Sequence, residues 1–541
     1  MLLSVAFKIR YVTVFHLFHA FQFYKYHIPI EAFFKNNVFN INRKWTALLC
    51  RNPLLQGIDR CYNLLYNNPK YNYSERSRRM MKTFINREIE LNSLYSEYHK
   101  EGSSLVIIYG RRRIGKTTLI KEFLKDKYAL YYLATEEPDA ENLRQFRGFA
   151  GDYIDNPLLA QTNLSWEDTF KLVINHKPET KKIIVLDEFQ YLSKTKKAFP
   201  SVFQRIWDTT LQDENIMVIL CGSLINMMES QTLSHGSPLY GRRTGQIKMQ
   251  QIPYHHYHLF YEDKSFPELV EYYAVTGGVP KYIELFRDST NIYTAIKENI
   301  MKTDSYLYEE PKFLLDQEVG EVGTYFSIIK TIAAGEHKIG KIAGVLGVKQ
   351  SNLTRYLHTL MDLDLIRRIV PITEKNPEKS KRGLYYLTDN FIEFWFKFIY
   401  PNRSYIEMGN RDYVVKKIEE NFIDQHVSFV FEDICREHTW RLAGENFFDF
   451  ELSKLGKWWD QKNEIDLVGF NTDTRDILFG ECKYWKDDKK VDIDVLHALM
   501  DKAALVEWGK NRQEHYILFS KSGFTDRLIE TAKKRENVYL V

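Results

Sequence analysis

The pattern of apolar residues in the first half of the chain predicts buried parallel strands. Three runs are apolar almost without interruption, at residues 104–109, 182–187 and 216–221. Unbroken hydrophobicity, in place of alternation, is typical of strands that helices cover on both faces. The stretch that follows the first run, 118–124, is predicted to be a helix. We therefore expect an α/β domain built around a parallel sheet.

A different pattern begins near residue 339. Short helices are predicted at 339–346 and 350–361, followed by strands at 366–370 and 383–387 that flank a basic loop. Two helices followed by a hairpin resemble a winged helix. A surface suited to a DNA groove and its phosphates would consist of Gln350, Ser351, Asn352 and Arg355 on the second helix and Lys379, Lys381 and Arg382 on the loop.

Apolar and polar residues alternate in the C-terminal region. The alternation predicts two half-buried strands, 463–469 and 478–483, joined by a hairpin turn at 471–475. Since successive side chains of a strand point to opposite faces, Glu481 and Lys483 would share one face while Cys482 turns into the core.

The segment that follows the first apolar run carries the clearest chemistry. Residues 110–117 fit the pattern GxxxxGK[ST], in which glycines let successive backbone N–H groups curl around a phosphate at the start of a helix. Lys116 would reach the β- and γ-phosphates, and the Thr117 hydroxyl would bind Mg²⁺. A glycine-rich surface turn is the alternative, but the strand before and the helix after favour a phosphate-binding loop. The predicted ATP-binding residues are Gly110, Arg111, Arg112, Arg113, Ile114, Gly115, Lys116, Thr117 and Thr118.

The second and third apolar runs end in residues that complete such a site. Asp187 would hold Mg²⁺ and Glu188 would polarise the attacking water, which suggests hydrolysis in addition to binding. Ser223 would lie beside the γ-phosphate. Arg242 or Arg243 would stabilise transition-state charge, either in the same chain or in a neighbouring subunit of a homo-oligomer, unless the segment is only a basic turn. The predicted catalytic residues are Glu188, Ser223 and Arg242.

The order and spacing of these segments resemble the archaeal-type ATPase family, a branch of the AAA+/STAND class of P-loop NTPases. The resemblance covers most of residues 82–400, and its one departure is Cys221, where Thr or Ser is expected. In that class a winged helix serves at least as often for packing as for DNA contact. The segments that carry the resemblance are 84–91, 110–117, 186–190, 221–223, 240–242 and 276–282.

The C-terminal strands would bring together a second group of polar residues. Asp466 and Glu481 would bind a second Mg²⁺, and Lys483 would position the nucleophile or stabilise charge, which suits metal-assisted phosphodiester hydrolysis. The pattern resembles the PD-(D/E)xK nuclease-like fold, in which Glu432 matches a glutamate on the preceding helix. A solvated strand face is the alternative. No proline precedes Asp466, so retained cleavage and a binding-only role both stay open.

Composition limits the remaining possibilities. The chain has 541 residues, 44% hydrophobic and 27% charged, which is ordinary for a globular protein with three or four domains. Its five cysteines lack the CxxC spacing of a zinc site and do not indicate a disulfide framework. A reducing cytoplasm fits best.

The N-terminal segment differs in charge from the rest. Residues 1–80 contain 12 Lys/Arg and 3 Asp/Glu, whereas the remainder contains 63 and 68. Its most apolar stretch, 11–21, is too short to span a bilayer, so no stable membrane insertion is expected, although a targeting or membrane-surface role is an alternative. We expect the native protein to start at Met80 or Met81, or the extension to be disordered.

These interpretations define an α/β architecture with a P-loop NTPase parallel sheet, a helical lid, a winged helix and a C-terminal nuclease-like α/β domain. The expected function is ATP binding and Mg²⁺-dependent hydrolysis coupled to a module that binds DNA and has a candidate cleavage site. Alternatives are an ATP-dependent regulatory switch without nuclease activity and a winged-helix DNA-binding regulator. The expected boundaries are 1–80 for the extension, 81–260 for the ATPase core, 261–325 for the lid, 326–400 for the winged helix and 415–541 for the nuclease-like domain.

Overall fold

The computed structural model describes residues 84–177 and 179–541, and the expectation about residues 1–80 lies outside these ranges. A five-stranded sheet organises the first part of the described chain. Its strands are β1 (Ser104–Tyr109), β2 (Leu130–Leu133), β3 (Lys182–Asp187), β4 (Ile216–Gly222) and β5 (Gly245–Lys248). In the order β2-β3-β4-β1-β5 every neighbouring pair is parallel. The predicted parallel sheet is confirmed, and the carboxyl ends of β1, β4 and β3 meet at one edge.

Helices cover both faces of this sheet, as the unbroken apolar runs predict. Alternate residues of β1 belong to separate cores: Leu105 and Ile107 to one, Val106 and Ile108 to the other. Each β1 residue therefore packs against helices on its own side. The helices of this region are α1 (Glu88–His99), α2 (Lys116–Phe123), α3 (Asp139–Tyr153), α4 (Trp166–Asn175), α5 (Gln190–Thr195), α6 (Phe199–Ile206) and α7 (Ile225–Met228).

A helical region follows the sheet. Ser265 precedes its helix Phe266–Thr276, and the Ser265 N–H and hydroxyl donate to Glu268 Oε2 at 2.9 and 2.6 Å. The helices are α8 (Tyr254–Tyr257), α9 (Phe266–Thr276), α10 (Pro280–Phe286), α11 (Ile292–Asn299), α12 (Glu310–Glu318) and α13 (Val322–Ala333).

Two helices and a hairpin then lie where the sequence predicts them. Helices α14 (Ile339–Leu346) and α15 (Gln350–Asp362) are separated by Gly347 in the left-handed conformation, and β6 (Ile366–Ile369) pairs antiparallel with β7 (Leu384–Leu387). Whether this module is a winged helix in function stays a prediction. The helices that follow are α16 (Asn390–Phe394), α17 (Arg403–Glu407), α18 (Arg411–Phe422) and α19 (Ser428–Gly444).

A second five-stranded sheet forms the C-terminal domain. Its elements are β8 (Lys454–Trp459), β9 (Glu464–Phe470), β10 (Asp476–Lys483), α20 (Ile493–Ala504), β11 (Gln513–Ser520), α21 (Asp526–Lys533) and β12 (Val538–Leu540). The order is β12-β11-β10-β9-β8, with β8, β9 and β10 antiparallel and β10, β11 and β12 parallel. The predicted hairpin is present, closed by a hydrogen bond from Asn471 N–H to Asp476 O at 3.0 Å.

Short turns of 3₁₀ or π helix complete the described elements, and none of the described helices has the length and apolar character to cross a bilayer. The turns are Pro157–Gln161, Trp207–Leu211, Glu229–Leu233, His258–Phe260, Pro377–Lys379, Trp395–Ile399, Tyr400–Asn402 and Ile423–Val427.

Candidate active site

The loop between β1 and α2 has a backbone that its glycines permit. Gly110 has φ of +141°, and a Cβ at this position would lie 2.6 Å from the backbone oxygen of Met249. Gly115, at the N-cap of α2, has φ of +94°. Both conformations are unfavourable for residues with a side chain, so both glycines are required by the path of the loop. The loop therefore delivers the next residue, Lys116, to the first turn of α2.

Lys116 lies inside the loop that precedes it. Its Nζ donates hydrogen bonds to the backbone oxygens of Gly110 and Arg111, each at 2.8 Å. Burial lowers the pKa of Lys116, an effect that the nearby carboxylates of Asp187 and Glu188 partly offset. A buried ammonium with acidic neighbours is suited to bind an anion that brings more negative charge.

Asp187, at the end of β3, lies against the start of α2. Its Oδ2 accepts a hydrogen bond from the Thr117 hydroxyl at 3.2 Å and another from the Tyr131 hydroxyl. Burial, followed by the charge of Asp187, raises the pKa of Tyr131, so this phenol stays a donor. A carboxylate oxygen beside a hydroxyl fits the ligand preference of Mg²⁺. Tyr131 was missed from the sequence because only the β2–β3 pairing brings it here.

Glu188 has a positive φ of 53°. Its side chain is held by residues that follow the ends of β3 and β4. Its Oε2 accepts a hydrogen bond from the Ser223 hydroxyl at 2.6 Å and one from Gln190 Nε2. Gln190 Nε2 also lies 3.4 Å from Ser223 Oγ. The structure therefore brings the predicted residues Glu188 and Ser223 together and adds Gln190, whose position two residues after Glu188 was the available signal.

The other arginines predicted here contact residues outside the phosphate-binding loop. Arg242 makes two hydrogen bonds to Asp208, at 2.7 and 2.8 Å, and one to the Pro238 oxygen, while Arg243 lies over the Tyr240 ring. No described contact joins Arg242 to Lys116 or Glu188, and its catalytic role, within one chain or between subunits, stays a prediction. The loop arginines Arg111, Arg112 and Arg113 bind Asp389, Tyr191 and Glu310.

The C-terminal domain also collects its predicted residues. Asp466 lies one position beyond the paired residues Leu467 and Gly480, and its Oδ2 accepts a hydrogen bond from Cys482 N–H at 2.9 Å. Cys482 is buried, as the alternation predicts. Burial, followed by the negative charges of Glu432 and Glu481, raises the pKa of Asp466 to about 7. These three carboxyl groups therefore form one electrostatically coupled cluster.

Lysines neutralise this cluster. Glu481 accepts hydrogen bonds from Lys483 Nζ at 2.7 Å and from Lys502 Nζ at 3.1 Å, and Glu432 pairs with Lys457. Among the described residues, no group of three or more His, Cys, Asp or Glu side chains is arranged to hold a metal ion. Mg²⁺ is commonly bound through one or two carboxylates. Asp466 and Glu481 therefore match Mg²⁺ in the type of ligand atom that they offer. Lys457 and Lys502 were missed because they lie on β8 and α20.

The basic loop of the hairpin is exposed and also contacts the C-terminal domain. Lys379 and Lys381 are exposed, but the guanidinium of Arg382 donates to the Trp459 backbone oxygen and lies 3.3 Å from Glu374. Arg382 therefore contacts the C-terminal domain while it stays exposed, and its assignment to a DNA-facing surface stays a prediction. Gln350, Ser351, Asn352 and Arg355 are all exposed on α15.

A parallel sheet whose first strand leads through a glycine loop into Lys116 and Thr117, with Asp187 on a nearby strand, defines a P-loop nucleotide-binding protein. Comparison with known proteins agrees. Residues 84–286 match the model of an ATPase domain found predominantly in Archaea. Residues 267–395 match a domain of unknown function, and residues 395–496 match archaeal and bacterial proteins of unknown function.

An uncharacterized protein of Methanocaldococcus jannaschii is 36% identical over 438 residues, which cover 81% of this chain and 95% of that relative. An uncharacterized ATP-binding protein of the same organism is 50% identical over 44 residues, 8% of this chain and 75% of that protein. The Walker-type ATPase PABY2304 of Pyrococcus abyssi has 21% identity and a TM-score of 0.45, covering 58% of this chain and 96% of that one. From the sequence matches, the chain belongs to the archaeal-type ATPase family.

Proposed function

We propose that this protein is a Mg²⁺-dependent ATPase whose nucleotide site controls a DNA-binding C-terminal module. The observation that carries the proposal is the geometry at the end of β3. Asp187 binds the Thr117 hydroxyl, while the adjacent Glu188 is held separately by Ser223 at 2.6 Å. Two neighbouring carboxylates with different partners suit two different tasks, metal binding and activation of water.

In the proposed reaction Lys116 releases the loop oxygens and binds the β- and γ-phosphates, where its charge offsets theirs. Thr117 and Asp187 would hold Mg²⁺, which neutralises phosphate charge when bound. Glu188 accepts a proton from water as the water oxygen bonds to the γ-phosphorus. The bond from that phosphorus to the bridging oxygen breaks, and ADP leaves with the electron pair. Ser223 and Gln190 fix Glu188 in one orientation.

Replacing Lys116 with alanine tests the nucleotide site. Lys116→Ala removes the buried positive charge that faces the triphosphate, so ATP binding measured by isothermal titration calorimetry should be lost, and phosphate release with it. Lys121→Ala, at an exposed position of the same helix, is the matched control and should bind ATP like the wild type. Equal ATP binding by Lys116→Ala and wild type would contradict the proposal.

The DNA-binding part of the proposal is supported by two surfaces. Gln350, Ser351, Asn352 and Arg355 are exposed together at the start and middle of α15, where a recognition helix would contact a groove. The C-terminal domain brings three carboxyl groups into one cluster: Glu432 on α19, Asp466 on β9 and Glu481 on β10. Its elements run as a helix, three antiparallel strands, a further helix and a parallel strand. That cluster supports a phosphodiester substrate, because Lys483 next to it can offset phosphate charge.

Cleavage of DNA is tested at Asp466. If Asp466 and Glu481 jointly bind Mg²⁺, Asp466→Ala removes a ligand and Lys483→Ala removes the positive charge, so each should lose metal-dependent cleavage of DNA while ATP turnover stays near the wild-type rate. Lys489→Ala, at an exposed position beyond β10, serves as the control. Cleavage that persists in both site variants would remove this assignment.

A second candidate is an ATP-dependent switch that binds DNA without cutting it. The observation in its favour is that Glu481 is already bound by Lys483 and Lys502, and Glu432 by Lys457. Carboxylates paired with lysines are less available to a metal ion. DNA binding by the wild type with no cleavage of single- or double-stranded DNA in Mg²⁺ or Mn²⁺ would favour the switch.

A further inference from the structure

A buried ion pair joins the phosphate-binding loop to the hairpin region, and the proposed reaction does not use it. Arg111 Nη1 lies 2.7 Å from Asp389 Oδ2, and the two side chains are 8% and 1% exposed. Gln251 Nε2 donates to the same oxygen at 3.0 Å. The other carboxylate oxygen accepts the Ile392 N–H at 2.7 Å and so caps α16. Since a buried charge without its partner is strongly unfavourable, a displacement of Arg111 is expected to displace Asp389.

The backbone of Arg111 is in turn held by Lys116. Lys116 Nζ donates to the Arg111 oxygen at 2.8 Å. An ammonium that turns toward the β- and γ-phosphates directs at least two of its three donors at them, so it cannot keep both loop oxygens, those of Gly110 and Arg111, which flank Arg111 along the backbone. ATP binding therefore acts on the residue whose side chain holds Asp389.

Asp389 is close in sequence to hairpin β6–β7. It follows the last residue of β7 by two positions, and the preceding Thr388 donates its N–H to the Leu365 oxygen at 3.1 Å, next to β6. This hydrogen bond and the two-residue spacing restrict the movement of Asp389 relative to β6 and β7. A shift of Asp389 is therefore transmitted to the hairpin.

The far side of the hairpin contacts the candidate C-terminal site. Arg367, on β6, pairs with Asp433 on α19. The Ile372 N–H donates to the Lys457 oxygen at 2.9 Å, and the Lys457 side chain pairs with Glu432. The hairpin is therefore bonded at one end to the phosphate-binding loop and along its length to the domain that carries Asp466.

We propose that Asp389 is a positioning residue that couples the phosphate-binding loop to hairpin β6–β7, so that ATP binding changes the contact of the hairpin with the C-terminal site. The inference rests on the proposed ATPase function. An ion pair that served only stability would leave the hairpin insensitive to ATP. The response of the hairpin therefore separates the two roles.

The test measures amide hydrogen exchange of the full chain by mass spectrometry, with and without MgATP, in a Glu188→Gln background that slows hydrolysis. In the parent, ATP should change exchange in residues 110–118 and in residues 366–387. In Asp389→Asn the change in 110–118 should persist and the change in 366–387 should be lost. Asp364→Asn is the matched control: it breaks the 2.9 Å Lys248–Asp364 pair, which also joins β5 to the hairpin region but does not touch the loop, and should keep both changes.

Each outcome is decisive. A hairpin response in Asp389→Asn equal to that of the parent overturns the coupling, as does a parent that binds ATP without any change in 366–387. A parent that binds no ATP overturns the proposed ATPase function itself. If Asp389→Asn fails to fold by circular dichroism, Asp389→Glu, which keeps the buried negative charge but displaces it by one methylene, takes its place; the change in 110–118 should persist, and a change in 366–387 equal to that of the parent overturns the coupling.

Discussion

Glu188→Gln is expected to separate ATP binding from hydrolysis, and the contacts of Glu188 give the reason. Glutamine has the same shape, and its side-chain oxygen can keep the 2.6 Å hydrogen bond from Ser223. The backbone N–H of residue 188 still donates to Asp187 Oδ1 at 3.0 Å, so the bonds between Asp187 and Thr117 are not disturbed. What is lost is the negative charge that accepts the proton of water.

General-base catalysis contributes about 10²- to 10⁴-fold to a rate. Turnover should therefore fall by that factor, which corresponds to a rise of about 3 to 5 kcal/mol in activation free energy. ATP affinity should be kept or rise, because Lys116 and Thr117 are unaltered and a negative charge near the γ-phosphate is removed. Phosphate release under single-turnover conditions and calorimetric titration with ATP measure the two quantities. A turnover within tenfold of the wild type, or loss of ATP binding, would refute the assignment of Glu188 as the base.

Two further predictions concern pH. Burial raises the pKa of Glu318 to about 7 beside the phosphate-binding loop, although Arg111, Arg112 and Lys116 lower it in part. The Glu318 carboxyl is mostly neutral at pH 6 and charged at pH 8, where it repels the phosphates. Glu318→Gln should therefore strengthen ATP binding at pH 8, by on the order of 1 kcal/mol, and hardly change it at pH 6. Equal effects on ATP binding at the two pH values would contradict this. Burial lowers the pKa of His426 to about 4, whereas the unfolded chain takes up this proton near pH 6.5, so stability is unaffected above pH 6.5 and falls by up to about 3 kcal/mol as pH drops toward 4. Denaturant midpoints should depend less on pH in this range for His426→Gln than for the wild type, and equal slopes would contradict the account.

The sequence predicts which residues of the candidate nucleotide site lie together, because they follow directly from strand ends. β1, β3 and β4 are unbroken apolar runs, and Lys116, Asp187 and Ser223 come within a few residues of where those runs end. The carboxyl ends of neighbouring parallel strands must meet, so sequence order is sufficient to assemble the site.

Contacts between distant segments could not be predicted in this way. Arg111 and Asp389 are separated by 278 positions, and neither local pattern indicates a partner. The pairing of Arg242 with Asp208 is likewise not indicated by the basic turn 240–243, because Asp208 lies on the π-helical turn that extends α6. Lys502 similarly reaches Glu481 only because α20 packs on β10. Such pairs depend on how helices and strands pack together. The periodicity of apolar residues within one helix or strand does not predict that packing.

We propose that one chain hydrolyses ATP and uses the nucleotide to control a DNA-binding module. The most direct measurement records ATP turnover and DNA cleavage together on the purified full chain, each with and without the other substrate, for the wild type and Lys116→Ala. We expect Mg²⁺-dependent ATP turnover that DNA alters, and DNA binding or cleavage that ATP alters, with both effects lost in Lys116→Ala. ATP turnover that is absent, or that is the same in Lys116→Ala as in the wild type, would contradict it.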